Sequence, residues 1–66
     1  MLANLLQFVR RPYRVGKTYN FRYHGKHRTV HVEELKTGKR GQPQIFGQEL
    51  INGVFVSKCF NIGEIE

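Results

Sequence analysis

Three aromatic residues at alternate positions, Tyr19, Phe21 and Tyr23, interleaved with Asn20, Arg22 and His24, constrain this chain more than any other feature. A period of two is the mark of a strand with one buried face. Gly25-Lys26 follows at once, and a glycine opening a two-residue loop suits a type II′ turn, whose first position needs positive φ. That turn predicts a hairpin over Lys17 to Leu35 in which Tyr23 faces Arg28, Phe21 faces Val30 and Tyr19 faces Val32. Arg22, His24, His27, Thr29 and His31 then share the opposite face. One side of the hairpin is core; the other is polar and basic.

The second half of the chain repeats the theme. QIFGQELI leads into Asn52-Gly53, the strongest short turn signal present, and VFVSKCFNI leads out. A type I′ turn there pairs Leu50 with Phe55, Gln48 with Ser57 and Phe46 with Cys59 on one face. On the other it pairs Glu49 with Val56, Gly47 with Lys58 and Ile45 with Phe60. Apolar groups lie on both faces, so this hairpin is sandwiched inside a barrel, covered by another element, or exposes one side to a partner. Gly63 allows a bend before a last short strand or 3₁₀ turn anchored by Ile62 and Ile65.

Before the hairpins, Leu2, Leu5, Leu6 and Val9 fall at i, i+3, i+4 and i+7, the stripe of a short amphipathic helix over residues 2–10 that Pro12 ends. So short a helix needs the body of the domain or another subunit to pack on. The 66 residues allow one domain. The expectation is a mainly β fold: a small SH3-like or Sm-like barrel of four to five antiparallel strands with a short N-terminal helix. Strands are expected near 17–24, 27–34, 44–51 and 54–61. The helix stripe and the two-sided hairpin offer more apolar surface than one small barrel covers, which predicts a homo-oligomer.

Charge narrows the partner. Residues 1–40 carry ten Lys and Arg against Glu33 and Glu34, a net +8, whereas residues 41–66 carry Lys58 against three Glu, a net −2. A one-sided positive field favours polyanions such as nucleic acid. The loop KTGKRGQP (36–43) adds Lys36, Lys39 and Arg40, whose side chains and flanking amides suit phosphates. It lacks the glycine spacing and the Lys-Ser/Thr of a Walker loop. Arg10, Arg11 and Arg14 form a second basic patch around Tyr13, and Tyr13, Tyr23 or Phe46 would supply stacking surfaces.

Catalysis finds little to work with. The chain has no Asp, and its only adjacent carboxylates are Glu33 and Glu34. His24 and His27 oppose each other in the expected register, but no third strong ligand accompanies them or His31, so neither a metal nor a cofactor is expected. Cys59, the single cysteine, excludes an intramolecular disulfide and reads as a small buried hydrophobe. With no secretory signal and no run approaching a membrane span, a cytoplasmic protein that is not an enzyme and has no membrane partner is expected.

The run FRYHGKHRTVHVEEL, followed by FGQEL, Asn-Gly and KCFNIGEI, resembles the WYL domain of bacterial and phage regulators. Phe21, Tyr23, Gly25, Lys26, Arg28, Val30 and Leu35 match that family's first hairpin in spacing, and Lys58, Phe60, Ile62 and Ile65 match its closing segment. Val32 stands in place of a proline, Ile45-Phe46-Gly47 in place of Trp-Tyr-Leu, and Asn61 and Glu64 in place of basic residues. The resemblance implies a stand-alone Sm-like barrel that binds nucleic acid, often single-stranded, or senses a nucleotide-like ligand as part of a regulator. The residues expected to hold nucleic acid are Arg22, Tyr23, Lys26, Arg28, Lys36, Lys39, Arg40 and Lys58. Arg28 and Lys58 would form the cationic floor of a groove. The other expectation is a protein-interaction module working through its helix and apolar hairpin.

Overall fold

Alternating apolar residues and two glycine turns produce four antiparallel strands: β1 (Thr18–Tyr23), β2 (Lys26–Thr37), β3 (Pro43–Ile51) and β4 (Val54–Asn61). The computed structural model describes residues 13–66, and the helix expected over 2–10 lies outside them. The strands follow one another across a single open sheet in chain order, so β1 and β4 are its edges.

The β3–β4 register is the expected one, with Leu50 opposite Phe55, Glu49 opposite Val56 and Ile45 opposite Phe60. The first hairpin differs. Its loop is His24-Gly25, not Gly25-Lys26, so Tyr23 pairs with Lys26, Phe21 with Arg28 and Tyr19 with Val30. His24 has φ 52 and Gly25 φ 80, nearly the values of Asn52 (φ 51) and Gly53 (φ 80). Both loops are therefore type I′, whose twist matches that of the strands and which puts glycine second. Histidine is among the residues that tolerate positive φ best. The slip moves every partner by two, an even number, so each side chain keeps its face. It also removes the opposition of His24 and His27, which faces Arg22 instead.

Between β2 and β3 the register shifts at Glu33: Val32 pairs with Gly47 but Glu34 with Phe46. This bulge bends β2 and raises its twist. Gly47 makes the close approach possible. A Cβ there would overlap the His31 carbonyl oxygen and lie 2.9 Å from its carbon and 3.0 Å from Val32 Cα.

Past β4, a 3₁₀ turn (Ile62–Glu64) carries the chain to the free edge of β1. Ile65 bridges Tyr23 there, and the Glu66 amide donates to the Arg22 carbonyl at 2.8 Å. The curl encloses a core of Phe21, Val30, Val32, Ile45 and Phe60, flanked by Tyr13, Tyr19, Tyr23, Ile62 and Ile65. Phe60 meets Phe21 and Tyr23 edge-on at 5.4 and 4.9 Å between ring centres. Each fully buried Val or Ile contributes about 1.5–3 kcal/mol. Cys59 corrects its expected place: it is exposed on the outer face, its thiol 3.4 Å from Gln44 Oε1.

Candidate nucleic-acid interface

The expected site residues divide between the two faces of the sheet. Register puts Arg28 and Lys58 on the inner face with Glu49, a carboxylate only 4% exposed. Arg28 Nη1 donates to both Glu49 oxygens, at 3.0 and 3.1 Å, and Lys58 Nζ lies 3.9 Å from Glu49 Oε1. The Arg28 guanidinium also sits 5.9 Å from the Tyr23 ring centre and 5.7 Å from that of Phe60. Its Nε is buried without a hydrogen-bond partner. The two cations converge on one internal acid, so the floor expected of them is left with one net positive charge instead of two.

A second set of pairs fastens the chain end to the first hairpin. His24 Nε2 lies 2.6 Å from Glu64 Oε1, and the His24 ring stacks on Tyr23 at 4.3 Å. The Tyr23 hydroxyl donates to Glu64 at 3.3 Å and accepts the Asn61 amide at 3.1 Å. Hydrogen bonds from His24 and then Asn61 hold the Glu64 carboxyl below its ordinary value. Glu66 accepts the Gly25 amide at 3.2 Å and lies 3.7 Å from Arg22 Nε. Tyr23 is thus committed to packing and Arg22 to a partly exposed ion pair.

Among the described residues, the cations in no ion pair are Arg14, Lys17, Lys26, Lys36, Lys39 and Arg40. Lys26 flanks the first turn. Lys36, Lys39 and Arg40 run from the end of β2 into the next loop, and the Tyr13 segment lies against the same end. A groove of about 320 Å³ there is lined by Tyr13, Leu35, Lys36, Thr37, Pro43, Gln44 and Ile62. Arg14 adjoins Tyr13, and the Lys17 carbonyl accepts the Val32 amide at 2.9 Å, which ties this segment to β2. Lys36 Nζ lies 5.6 Å from the Phe46 ring centre. Three of the loop amides are already used: Arg40 N donates to Gln42 Oε1, Gly38 N to the Gln42 carbonyl and Gly41 N to the Gly38 carbonyl. The side chains of Lys36, Lys39 and Arg40 remain for an anion.

The outer face holds a second groove, of about 420 Å³, lined by Thr18, Thr29, His31, Gln48, Leu50 and Phe55. His31 Nδ1 is 3.0 Å from Thr18 Oγ1, and Gln48 donates to Ser57 Oγ at 3.0 Å. Phe55, 62% exposed, belongs to the apolar hairpin expected to face a partner but was not among the aromatics named for stacking. The signal was present: a two-residue loop at Asn52-Gly53 leaves its flanking side chains at a hairpin tip.

No group of three or more His, Cys, Asp or Glu that could hold a metal occurs among the described residues. Nor is any helix among them long and apolar enough to cross a membrane. The chain matches no protein-family model, and no curated protein or solved structure matches it at a significant level.

Proposed function

We propose that this chain is a non-catalytic regulatory module that binds single-stranded nucleic acid along the cation-rimmed groove between the Tyr13 segment and the β2–β3 loop. The observation that carries this is the sorting of charge. Glu49, Glu64 and Glu66 engage the cations of the inner face and the first hairpin, while Arg14, Lys17, Lys36, Lys39 and Arg40 meet no acid. Unpaired cations beside an aromatic wall suit a strand whose phosphates need neutralising and whose bases need a flat surface. The curl from β4 through the 3₁₀ turn to the edge of β1 supports an SH3-like small barrel, as the resemblance to WYL domains implies.

The test is a salt titration of binding to single strands of about 20 nucleotides, with duplexes alongside. Each neutralised phosphate contributes about −0.7 to the slope of log K against log salt for a single strand, so about four contacts give a slope near −3. Lys36→Ala, Lys39→Ala and Arg40→Ala together should flatten it by about 2. A slope near zero, or one that the triple variant leaves unchanged, overturns the proposal.

A further inference from the structure

The edge of β4 that faces away from β3 is the least protected part of the described chain. In a two-residue hairpin the residues flanking the loop exchange hydrogen bonds, and the pattern then alternates. Val54, Val56, Lys58 and Phe60 therefore turn their backbone groups toward β3. Phe55, Ser57, Cys59 and Asn61 turn theirs away. The Asn61 amide, which meets the Tyr23 hydroxyl rather than β3, agrees with this phase. No such partner exists among the described residues for the backbone groups of Phe55, Ser57 or Cys59.

The side chains around this edge are apolar on both faces. Val54 is 59%, Phe55 62%, Val56 38% and Leu50 41% exposed. Natural edges are usually guarded by charge, proline, a bulge or a cover. The edge of β1 has such guards, with Arg22 on it and Glu66 bonded to its carbonyl. Among the described residues nothing guards Val54–Ser57 in this way.

We infer that β4 pairs antiparallel with β4 of a second copy of this chain, forming a two-fold dimer with one continuous sheet. Charge favours a copy of itself as the occupant. Across β3 and β4 the charged residues are Glu49 and Lys58, and with Arg28 of β2 on the same carboxylate the cluster carries one net positive charge, whereas the rest of the chain is strongly basic. Two copies meet less repulsion at β4 than elsewhere, and a polyanion finds less attraction there. An antiparallel pair is self-complementary, since one strand's free amides meet the other's free carbonyls under the same two-fold axis. With the axis at Val56, Val56 meets Val56 of the second copy and Phe55 exchanges hydrogen bonds with its Ser57. The unpaired groups and the exposed valines are covered together. The interface is small, so micromolar dissociation is expected.

The experiment is sedimentation velocity of the full chain from 5 to 500 μM, in high salt with reductant, which excludes both nucleic-acid bridging and a Cys59 disulfide. The wild type should pass from monomer to dimer. Ser57→Pro removes an outward amide without breaking a backbone hydrogen bond to β3, at the loss of the Gln48–Ser57 Oγ side-chain bond, and Phe55→Lys adds a charge at the tip. Each should weaken the dimer at least tenfold while circular dichroism stays unchanged; where the proline variant loses its spectrum, the lysine variant decides. In a Cys59→Ser background, Val56→Cys should oxidise to a covalent dimer. A chain that stays monomeric at 500 μM, or a dimer that folded Phe55→Lys leaves intact, overturns the inference. Neither result bears on the salt slope, so this interface and the nucleic-acid reading fail separately.

Discussion

Removing Glu49 tests whether Arg28 is a structural cation or a phosphate ligand. The Arg28 side chain is 19% exposed and that of Glu49 5%, so Glu49→Leu strands a mostly buried guanidinium whose Nε already lacks a partner. Breaking a buried pair from one side costs about 3–5 kcal/mol. Lys58, 41% exposed, adds little to the pair, and the partial exposure of Arg28 favours the lower end, about 3 kcal/mol. A chain of this length has about 3–10 kcal/mol of stability in all, and each kcal/mol lowers Tm by about 4–8 °C. Glu49→Leu should therefore lower Tm by about 12–24 °C. Arg28→Met leaves Glu49 with only the distant Lys58 and should cost about 2–3 kcal/mol. The double variant should return to within about 1 kcal/mol of wild type, because it removes both charges from the apolar interior. Urea unfolding followed by circular dichroism measures all four proteins. Additive losses, or single variants that cost under about 1 kcal/mol, would refute the reasoning. Binding gives an independent check. Arg28→Met measured where it is folded should keep the wild-type salt slope, whereas a slope flattened by about 0.7 would make Arg28 a phosphate contact after all.

Gly47→Ala should cost about 3 kcal/mol or prevent folding in a urea titration, since the new methyl meets backbone atoms of His31 and Val32 that cannot rotate away. Gly63→Ala, with nothing within 4 Å of the added carbon and no positive φ, is the matched control and should be neutral or slightly stabilising. The Glu64 pairs predict an acid-sensitive chain end. Because the folded carboxyl titrates below its ordinary 4.5, its contribution is complete above that pH and disappears as pH falls through the lowered folded value. Unfolding midpoints of wild type and Glu64→Gln should differ near neutrality and converge toward pH 3; a gap that persists or widens in acid would count against the His24–Glu64 pair.

The second hairpin was legible in the sequence down to individual partners because Asn-Gly admits one compact turn, and its register then follows by counting. The first hairpin was legible in its faces but not in its pairs. His-Gly and Gly-Lys are both possible two-residue loops, and local sequence does not favour His24 at positive φ until twist is considered. The bulge at Glu33 left no local mark, since it depends on Gly47, fourteen residues away, admitting the backbone of β2. The ion pair of Glu49 was not read from the sequence for a related reason. Its pairing with Val56 was legible, but the β2–β3 register was not, and that register sets Val30 opposite Glu49 and Arg28 diagonally beside it on the same face. Exposure of Cys59 follows from the open sheet, over whose outer face the described residues place no second layer.

Charge counted along the sequence overstates what the folded surface can offer a polyanion. The net +8 of residues 1–40 includes Arg22 and Arg28, whose heads face Glu66 and Glu49 across long sequence separations. Six cations of the described residues meet no acid, and these bound the electrostatic contribution: a single strand touching all of them would give a slope of about −4. Lys26 flanks the first turn while the other five gather toward the far end of β2, a contour of about 30 Å away, which brings the bound to about −3.5, and the four contacts expected of one strand give about −3. A steeper slope than −4 would require Arg10 and Arg11 to reach the strand, or the Glu49 cluster to open and release its cations. The two causes separate cleanly, since Arg10→Ala with Arg11→Ala flattens the slope in the first case and Glu49→Gln steepens it in the second.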